Sequence, residues 1–320
     1  MKQALFNIMT GPQSRQGLWA LPLLMALAII LFLTIRTDHM LRPDNLFNLL
    51  AQAMPLIITA VGQMFVVLVG GLDLSVGSVI SFTTAILALG GPAYILIPAV
   101  FLLAALIGFT NGIAVARLNV HPIIATLAMQ YIILGVTLVL RPVAGGSVPR
   151  IVIDSVSGTF LGVPMQVCWV VVTILIAWKL LYRSRYGLHL FAIGGGVASG
   201  MEDAARNVGI RVRRNVILAY VASACFAAAA GIFLAGRIVS GDPAVGNGYE
   251  LNAITAVAIG GTQLSGGIGS LHGTVIGAFV LALLSNGMTL LNVSPFVQTA
   301  IQGGILLLVV AVQTRRKMGL

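Results

Sequence analysis

Charge is what this chain most lacks. Only 8% of its 320 residues are Asp, Glu, Lys or Arg, about a third of the ~25% usual in a soluble domain. Acids are the scarcer sign, 8 against 18 basic residues. Cysteine is rarer still. Cys168 and Cys225 both fall inside apolar runs, which excludes a disulfide scaffold and leaves packing as their simplest role. The four histidines, His39, His121, His189 and His272, are scattered without metal-ligand or haem spacing. No GxxxxGK[ST] occurs, so the chain has no P-loop of its own. Catalytic constellations are absent, which argues against a membrane protease or a redox subunit.

What is abundant is apolar surface. Hydrophobic residues make up 58% of the chain and the mean hydropathy is +1.04. No soluble core hides that much, so water-soluble enzyme folds and nucleic-acid binders are excluded and a polytopic membrane protein is expected. The apolar runs are long and unbroken, unlike the ~10-residue alternating strands of a barrel. The fold class is therefore all-α. Counting segments near the ~20 residues needed to cross hydrocarbon gives ten: 18–35, 46–70, 75–90, 93–116, 122–140, 165–182, 215–236, 251–264, 271–291 and 296–313. Two are short. The first is preceded by Lys2 and Arg15 and lacks a small-residue cleavage site, so it reads as a retained span. The 37 glycines suit close helix approach in lipid.

Basic residues set the orientation. Ten spans starting inside put Lys2, Arg15, Arg117, Lys179, Arg183, Arg185, Arg206, Arg211, Arg213, Arg214, Arg315, Arg316 and Lys317 in the cytoplasm, and Arg36, Arg42, Arg141, Arg150 and Arg237 outside. Both termini are thus expected in the cytoplasm, and the net charge of +10 is an orientation signal. Residues 1–17 and 315–320 would flank one transmembrane domain, 18–314, with an outward loop at 141–164 and an inward loop at 183–214. Trp169, Trp178 and Tyr182 lie near the two ends of one span, as interfacial aromatics do.

Two glycine-rich stretches interrupt the apolar pattern. In Gly70-Gly71-Leu72-Asp73-Leu74-Ser75-Val76-Gly77-Ser78, Asp73 is the one carboxylate this reading places near membrane depth, where charge is costly unless it meets polar groups. Either Asp73 and Ser75 cap the helix that starts there, or a broken helix exposes amides and a carboxylate to a transport path. The second stretch runs from Gly260 to Ser270. Its preceding run, from Leu251, is ~21 Å long at 1.5 Å per residue, too short to cross comfortably and so re-entrant or helped by polar flanks. Short interrupted segments in two halves point to a transport site, or the glycines serve packing alone.

The halves also resemble each other locally. Asn111-Gly112 leads to Leu118-Asn119-Val120-His121-Pro122 and Thr126. Asn286-Gly287 leads to Leu291-Asn292-Val293-Ser294-Pro295 and Thr299. The topology puts the first copy inside and the second outside, with one span fewer between the second and its preceding glycine stretch, so either a span is miscounted or this is not a simple duplication of whole halves. Amides within spans include Gln52, Gln63, Asn111, Gln130, Asn286, Gln298 and Gln302. They suit either interhelical bonds or an uncharged polar solute, and argue against a proton relay. In the inward loop, residues 202–210 read as a short helix ending at Gly209, with acids at its start. Gly194 to Gly200 follows no strand and is not a dinucleotide site.

These residues resemble the permease subunits of ribose-type bacterial ABC sugar importers, over about 46–312. Gly71 to Ser78 is similar to that family's G-[IL]-D-L-S-V-G-[SA] signature. Asn119 to Leu127 resembles its "v-x-P-F-I-A-T-L" segment, and Gly248-Tyr249-Glu250-Leu251-Asn252-Ala253-Ile254 followed by Gly260-Gly261-Thr262 its G-Y-E-L-[DN]-A-I … G-G-T/S stretch. Ala192-Ile193-Gly194-Gly195 and Ala204-Ala205 … Gly209-Ile210 look like its coupling loop. Gly196 replaces the usual Asn there, about five extra residues precede Glu202, and Gln263 replaces a small hydroxyl residue.

The resemblance implies a transmembrane pathway for a monosaccharide or similar polyhydroxylated solute in the bacterial inner membrane. Its partners would be an extracytoplasmic binding protein, a cytoplasmic ATPase, a second permease copy, identical or a relative, and membrane lipid, with no nucleic acid. The chain would be no enzyme and carry no cofactor or metal, since ATP and magnesium belong to the ATPase. Path residues are expected among Asp73, Ser75, Gln63, Asn111, Thr126, Gln130, Glu250, Asn252, Gln263 and Asn286. Coupling residues are expected among Gly194, Gly195, Glu202, Ala204, Ala205 and Gly209. The alternative is a self-sufficient secondary transporter or channel for a neutral polar solute, which would predict intramembrane ionisable pairs.

Overall fold

The computed structural model describes residues 20–198 and 204–312, and among them lie thirteen helices and one small hairpin. In order these are α1 (Ala20–Arg36), α2 (Pro43–Leu68), α3 (Val76–Leu87), α4 (Ala93–Ala116), α5 (Pro122–Leu140) and α6 (Arg150–Ser157). The antiparallel hairpin β1 (Thr159–Phe160) and β2 (Val163–Pro164) follows. Then come α7 (Met165–Tyr182), α8 (Arg185–Ala198), α9 (Ala204–Asn207), α10 (Val212–Ile238), α11 (Tyr249–Ile259), α12 (Leu271–Leu290) and α13 (Pro295–Val312). A helix lies at each of the ten apolar segments. Six of them, α2, α4, α5, α7, α10 and α12, are long and apolar enough to cross a membrane. The protein is an all-α membrane protein.

Burial sorts these helices into a centre and a rim. The apolar stretches of α2, α10 and α12 are 89%, 67% and 61% buried, whereas α4, α5 and α7 are at or below 22%. Helix α10 can lie at the centre because glycines let its neighbours approach. A β-carbon on Gly108 would stand 2.5 Å from Tyr220 O, and one on Gly112 2.6 Å from Ile217 Cα. This Gly-xxx-Gly face lets the backbones of α4 and α10 touch. Position rises on α4 as it falls on α10, so the two run antiparallel. The same holds for α2 and the turn that follows it, where Gly62 meets Phe226 and Gly71 meets Tyr220.

Helix lengths expose an internal order. Helices α2 to α5 have 26, 12, 24 and 19 residues, and α10 to α13 have 27, 11, 20 and 18. Since α2 and α10 are antiparallel, the two sets are inverted copies. The similar Asn-Pro segments occupy equivalent corners. Asn119 and Asn292 are left-handed, at φ 54° and 56°, and Pro122 and Pro295 open the next helices. Thr126 and Thr299 each donate to the carbonyl of that proline, at 2.9 and 3.0 Å.

This order corrects the pairing of the two glycine stretches. The counterpart of residues 69–75, between a long and a short helix, is 239–248 rather than 260–270, which removes the missing span. Three further differences concern elements. The run 251–264 is helical only to Ile259, where Gly260 and Gly261 turn the chain. The inward loop holds the 14-residue α8, masked in the sequence by three glycines but fastened by buried Leu190, Phe191 and Ile193. The outward loop contains α6, tied to α7 by Trp169 Nε1 donating to Ser155 O at 2.8 Å. The expected short helix is present as α9, ending in left-handed Gly209.

Candidate functional site

Between α2 and α3 the backbone leaves helical geometry inside the protein, so its amides and carbonyls need partners other than water. Side chains from three helices supply them, and Asn111 from a fourth joins through the Ser75 hydroxyl. With its amide oriented to satisfy both groups, Gln63 Nε2 donates to Asp73 O at 3.1 Å and Oε1 accepts from Asp73 N at 3.0 Å. Thr126 Oγ1 accepts from Leu74 N at 3.1 Å. Tyr220 OH donates to Leu72 O at 3.5 Å. Asp73 Oδ1 accepts from Ser75 N at 3.0 Å and Ser75 Oγ at 2.6 Å, and Asn111 Nδ2 donates to Ser75 Oγ at 2.9 Å. Five expected residues, Asp73, Ser75, Gln63, Asn111 and Thr126, thus meet in one buried knot.

The capping alternative is met only in position. Ser75 stands at the N-cap of α3 but makes no capping bond with its side chain, because the hydroxyl is turned to Asp73. Among the described residues the second carboxylate oxygen, Oδ2, has no hydrogen-bond partner, nor has Ser223 Oγ, which faces it from α10. Tyr220 and Ser223 were not among the expected residues. Their signal was a polar pair three apart on one face of an otherwise apolar helix.

Glu250 occupies the corresponding place at the start of α11. Its Oε1 accepts from Gly248 N at 3.2 Å, while Oε2 is buried without a hydrogen-bond partner among the described residues. Gly77, at the start of α3, lies directly against Glu250 and Gly246; a β-carbon there would overlap the Glu250 carboxylate. Gly246 N donates to Ser81 Oγ at 2.9 Å, and Thr84 Oγ1 donates to Asp242 O at 3.1 Å. The two short helices therefore meet start to start, each with a carboxylate at its positive end.

The second glycine stretch packs elsewhere, against the end of α2 and against α8. Gly267 N donates to Leu68 O at 3.0 Å. A β-carbon on Gly266 would stand 2.9 Å from Gly70 N and 3.1 Å from Gly194 Cα, and one on Gly194 would overlap Leu68 O and Gly267 N. Three glycine segments far apart in sequence thus form one backbone-to-backbone joint. Of the other expected coupling residues, Gly195 lends its backbone to the joint, since a β-carbon on Gly267 would stand 2.5 Å from Gly195 N, but its own β-carbon position is open space; Ala205 is buried, and Ala204 and Gly209 are exposed. Glu202 lies outside the described residues.

Four expected path residues stand apart from the knot. Gln130, Asn252 and Gln263 are half-buried, and no side-chain hydrogen bond joins them to it among the described residues. Asn286 is paired reciprocally with Asn45 of α2, at 3.0 and 3.3 Å. Among the described residues no group of three or more His, Cys, Asp or Glu could hold a metal ion.

An all-helical membrane protein with two inverted sets of helices, each broken by a short helix with a carboxylate at its start, has the build of a transport protein. The comparisons agree. A family model described as "Branched-chain amino acid transport system / permease component" matches residues 45–310, and the chain belongs to that family. It is 36% identical over 307 residues to the ribose import permease protein RbsC of Escherichia coli, covering 92% of this chain and 93% of the relative. It is 34% identical over 306 residues to RbsC of Bacillus subtilis, 92% of each. To the galactose/methyl galactoside import permease protein MglC of Salmonella typhimurium it is 32% identical over 317 residues, 91% and 92%. No solved structure matches. The protein is thus a multi-pass permease of the inner membrane.

Proposed function

We propose that this chain is the transmembrane pathway of an ATP-driven importer for a monosaccharide or similar polyhydroxylated solute. The family description names amino acids, but the similar full-length relatives are named for ribose, allose and galactose import, which favours a sugar. The chain would take its cargo from an extracytoplasmic binding protein, pair with a second permease copy, and leave ATP hydrolysis to a separate ATPase. In this reading the chain crosses ten times between cytoplasmic termini, within one domain at 18–314. Two crossings consist of an extended stretch plus α3 or α11, whose 12 and 11 residues reach about 18 and 17 Å, roughly half the hydrocarbon core. Their starts meet near mid-membrane, where helix amides and the Asp73 and Glu250 carboxylates can serve sugar hydroxyls.

The observation that carries the coupling is the glycine joint. Helix α8 belongs to the inward loop, and its Gly194 touches Leu68 at the end of α2 and Gly267 after α11. A push on that loop by an ATPase would reach both interrupted stretches at once. The test is gentle-detergent purification of the tagged chain from its native membrane, followed by mass spectrometry. A co-purifying ATPase bearing a P-loop, with ATP-dependent sugar uptake in vesicles, is the expected result. The chain recovered alone, still moving sugar without ATP, would mean a secondary transporter.

A further inference from the structure

We infer that the groove between the end of α4 and the start of α10 is a binding site for an anionic phospholipid. The groove has a volume of about 950 Å³, and five arginines line it: Arg117, Arg206, Arg211, Arg213 and Arg214. Arg117, Arg211, Arg213 and Arg214 have no carboxylate partner among the described residues, where the one ion pair is Arg150 with Asp154. Four arginines gathered on one groove without a carboxylate partner among the described residues call for a ligand of opposite sign.

The rest of the lining says which kind of anion. Phe109, Ile217, Leu218 and Val221 form the deeper wall, and Phe109 and Leu218 are exposed there. Measured along α4, Phe109 is about 12 Å from Arg117, so the groove descends from the basic rim into the apolar zone. A free phosphate or nucleotide has no use for such walls, and an acidic protein loop could not follow them into hydrocarbon. A glycerophospholipid matches both parts, its phosphate held by the charge of the arginines and its acyl chains against the wall, as in basic pockets between transmembrane helices. The Gly108 and Gly112 contacts with Tyr220 and Ile217 hold the two helices together, so the groove is preformed. The inward orientation proposed above decides only which leaflet supplies the lipid.

The test is native mass spectrometry of the purified chain offered phosphatidylglycerol or phosphatidylcholine at equal mole fraction. Phosphatidylglycerol is expected to stay bound and phosphatidylcholine to be lost. Each arginine removed, in Arg213→Gln and in Arg117→Gln with Arg213→Gln, is expected to weaken retention about fivefold. Arg213→Lys, which keeps the charge, and Arg150→Gln, outside the groove, are expected to retain lipid within about twofold of the parent. Equal retention of both lipids, displacement of phosphatidylglycerol by millimolar inorganic phosphate, or unchanged retention in the glutamine variants would overturn the site. So would glutamine variants that keep lipid but lose a co-purifying ATPase, since the arginines would then belong to that partner's surface. Sugar uptake plays no part in the readout, so failure of the importer reading would not be mistaken for failure of this one.

Discussion

Replacing Gly194 by alanine, with Gly195→Ala as its twin, isolates the glycine joint. Both glycines lie in α8, so both substitutions gain the same intrinsic helix preference, about 0.5–1 kcal/mol. They differ in what the added methyl meets. At Gly195 it meets open space, whereas at Gly194 it overlaps Leu68 O and Gly267 N. Those are backbone atoms of two other segments, and no rotamer change can move them aside. Making room costs about 1–3 kcal/mol as overpacking. Parting Leu68 from Gly267 also breaks their 3.0 Å hydrogen bond in a buried place, worth about 1–3 kcal/mol. The balance is a loss of about 1–5 kcal/mol for Gly194→Ala and a small gain for Gly195→Ala. Against a typical total of 5–15 kcal/mol, that gap should show in thermal unfolding of the purified permease. Sugar-stimulated ATP hydrolysis in the reconstituted complex, run below the variant's unfolding range, should fall for Gly194→Ala alone. Twin variants within about 1 kcal/mol of each other, with equal stimulation, would refute the joint.

Gln63→Leu keeps most of the volume but strands the amide and carbonyl of Asp73, so a stability loss of about 2–5 kcal/mol is expected; denaturation equal to the parent would deny the bracket. Asp73→Ala removes the acceptor for both Ser75 donors and is expected to abolish uptake while assembly with the ATPase survives, with Asp73→Asn intermediate; normal uptake by Asp73→Ala would remove the residue from the path and from the turn together. For Asn45 and Asn286, a double-mutant cycle with alanine should give a coupling of about 0.5–1.5 kcal/mol, read by thermal unfolding, and additive effects would mean the pair is not formed.

The helices themselves were legible in the sequence because hydropathy reads one segment at a time. Lateral neighbours were not. Gln63, Asn111 and Thr126 each stood out as polar groups in apolar runs, but nothing in a run says which way its polar residue faces, so Asn286 stood out equally and belongs with Asn45. Tyr220 and Ser223 were passed over because a hydroxyl in a long apolar helix is cheap enough to be unremarked. The triple glycine at 194–196 looked like loop because helix preference is an intrinsic scale, and tertiary burial of Leu190, Phe191 and Ile193 outweighs it. The inverted order of the halves was half visible in the matched Asn-Pro corners. Taking the two most glycine-rich stretches as partners hid the rest, since glycine content reports close contact, and contact here joins non-equivalent segments.

That non-equivalence gives the joint its mechanical character. In the first half, the stretch between long and short helix is held by side chains of Gln63, Thr126 and Tyr220. Its counterpart at 239–248 is held by α3, through Ser81 and Thr84, and by a backbone bridge between Gly241 and Gly145 of the outward loop. Helix α3 therefore ties one half to the other, and α2, through Leu68, ties the first half to α8. Side-chain contacts along such a route can absorb small displacements by changing rotamer. Backbone contacts between glycines cannot, because there is no side chain to yield. A shift of α8 by about 1 Å would thus either carry the end of α2 and residues 266–267 with it or part them from α8 altogether, a two-state response of the kind packed interiors favour over continuous bending.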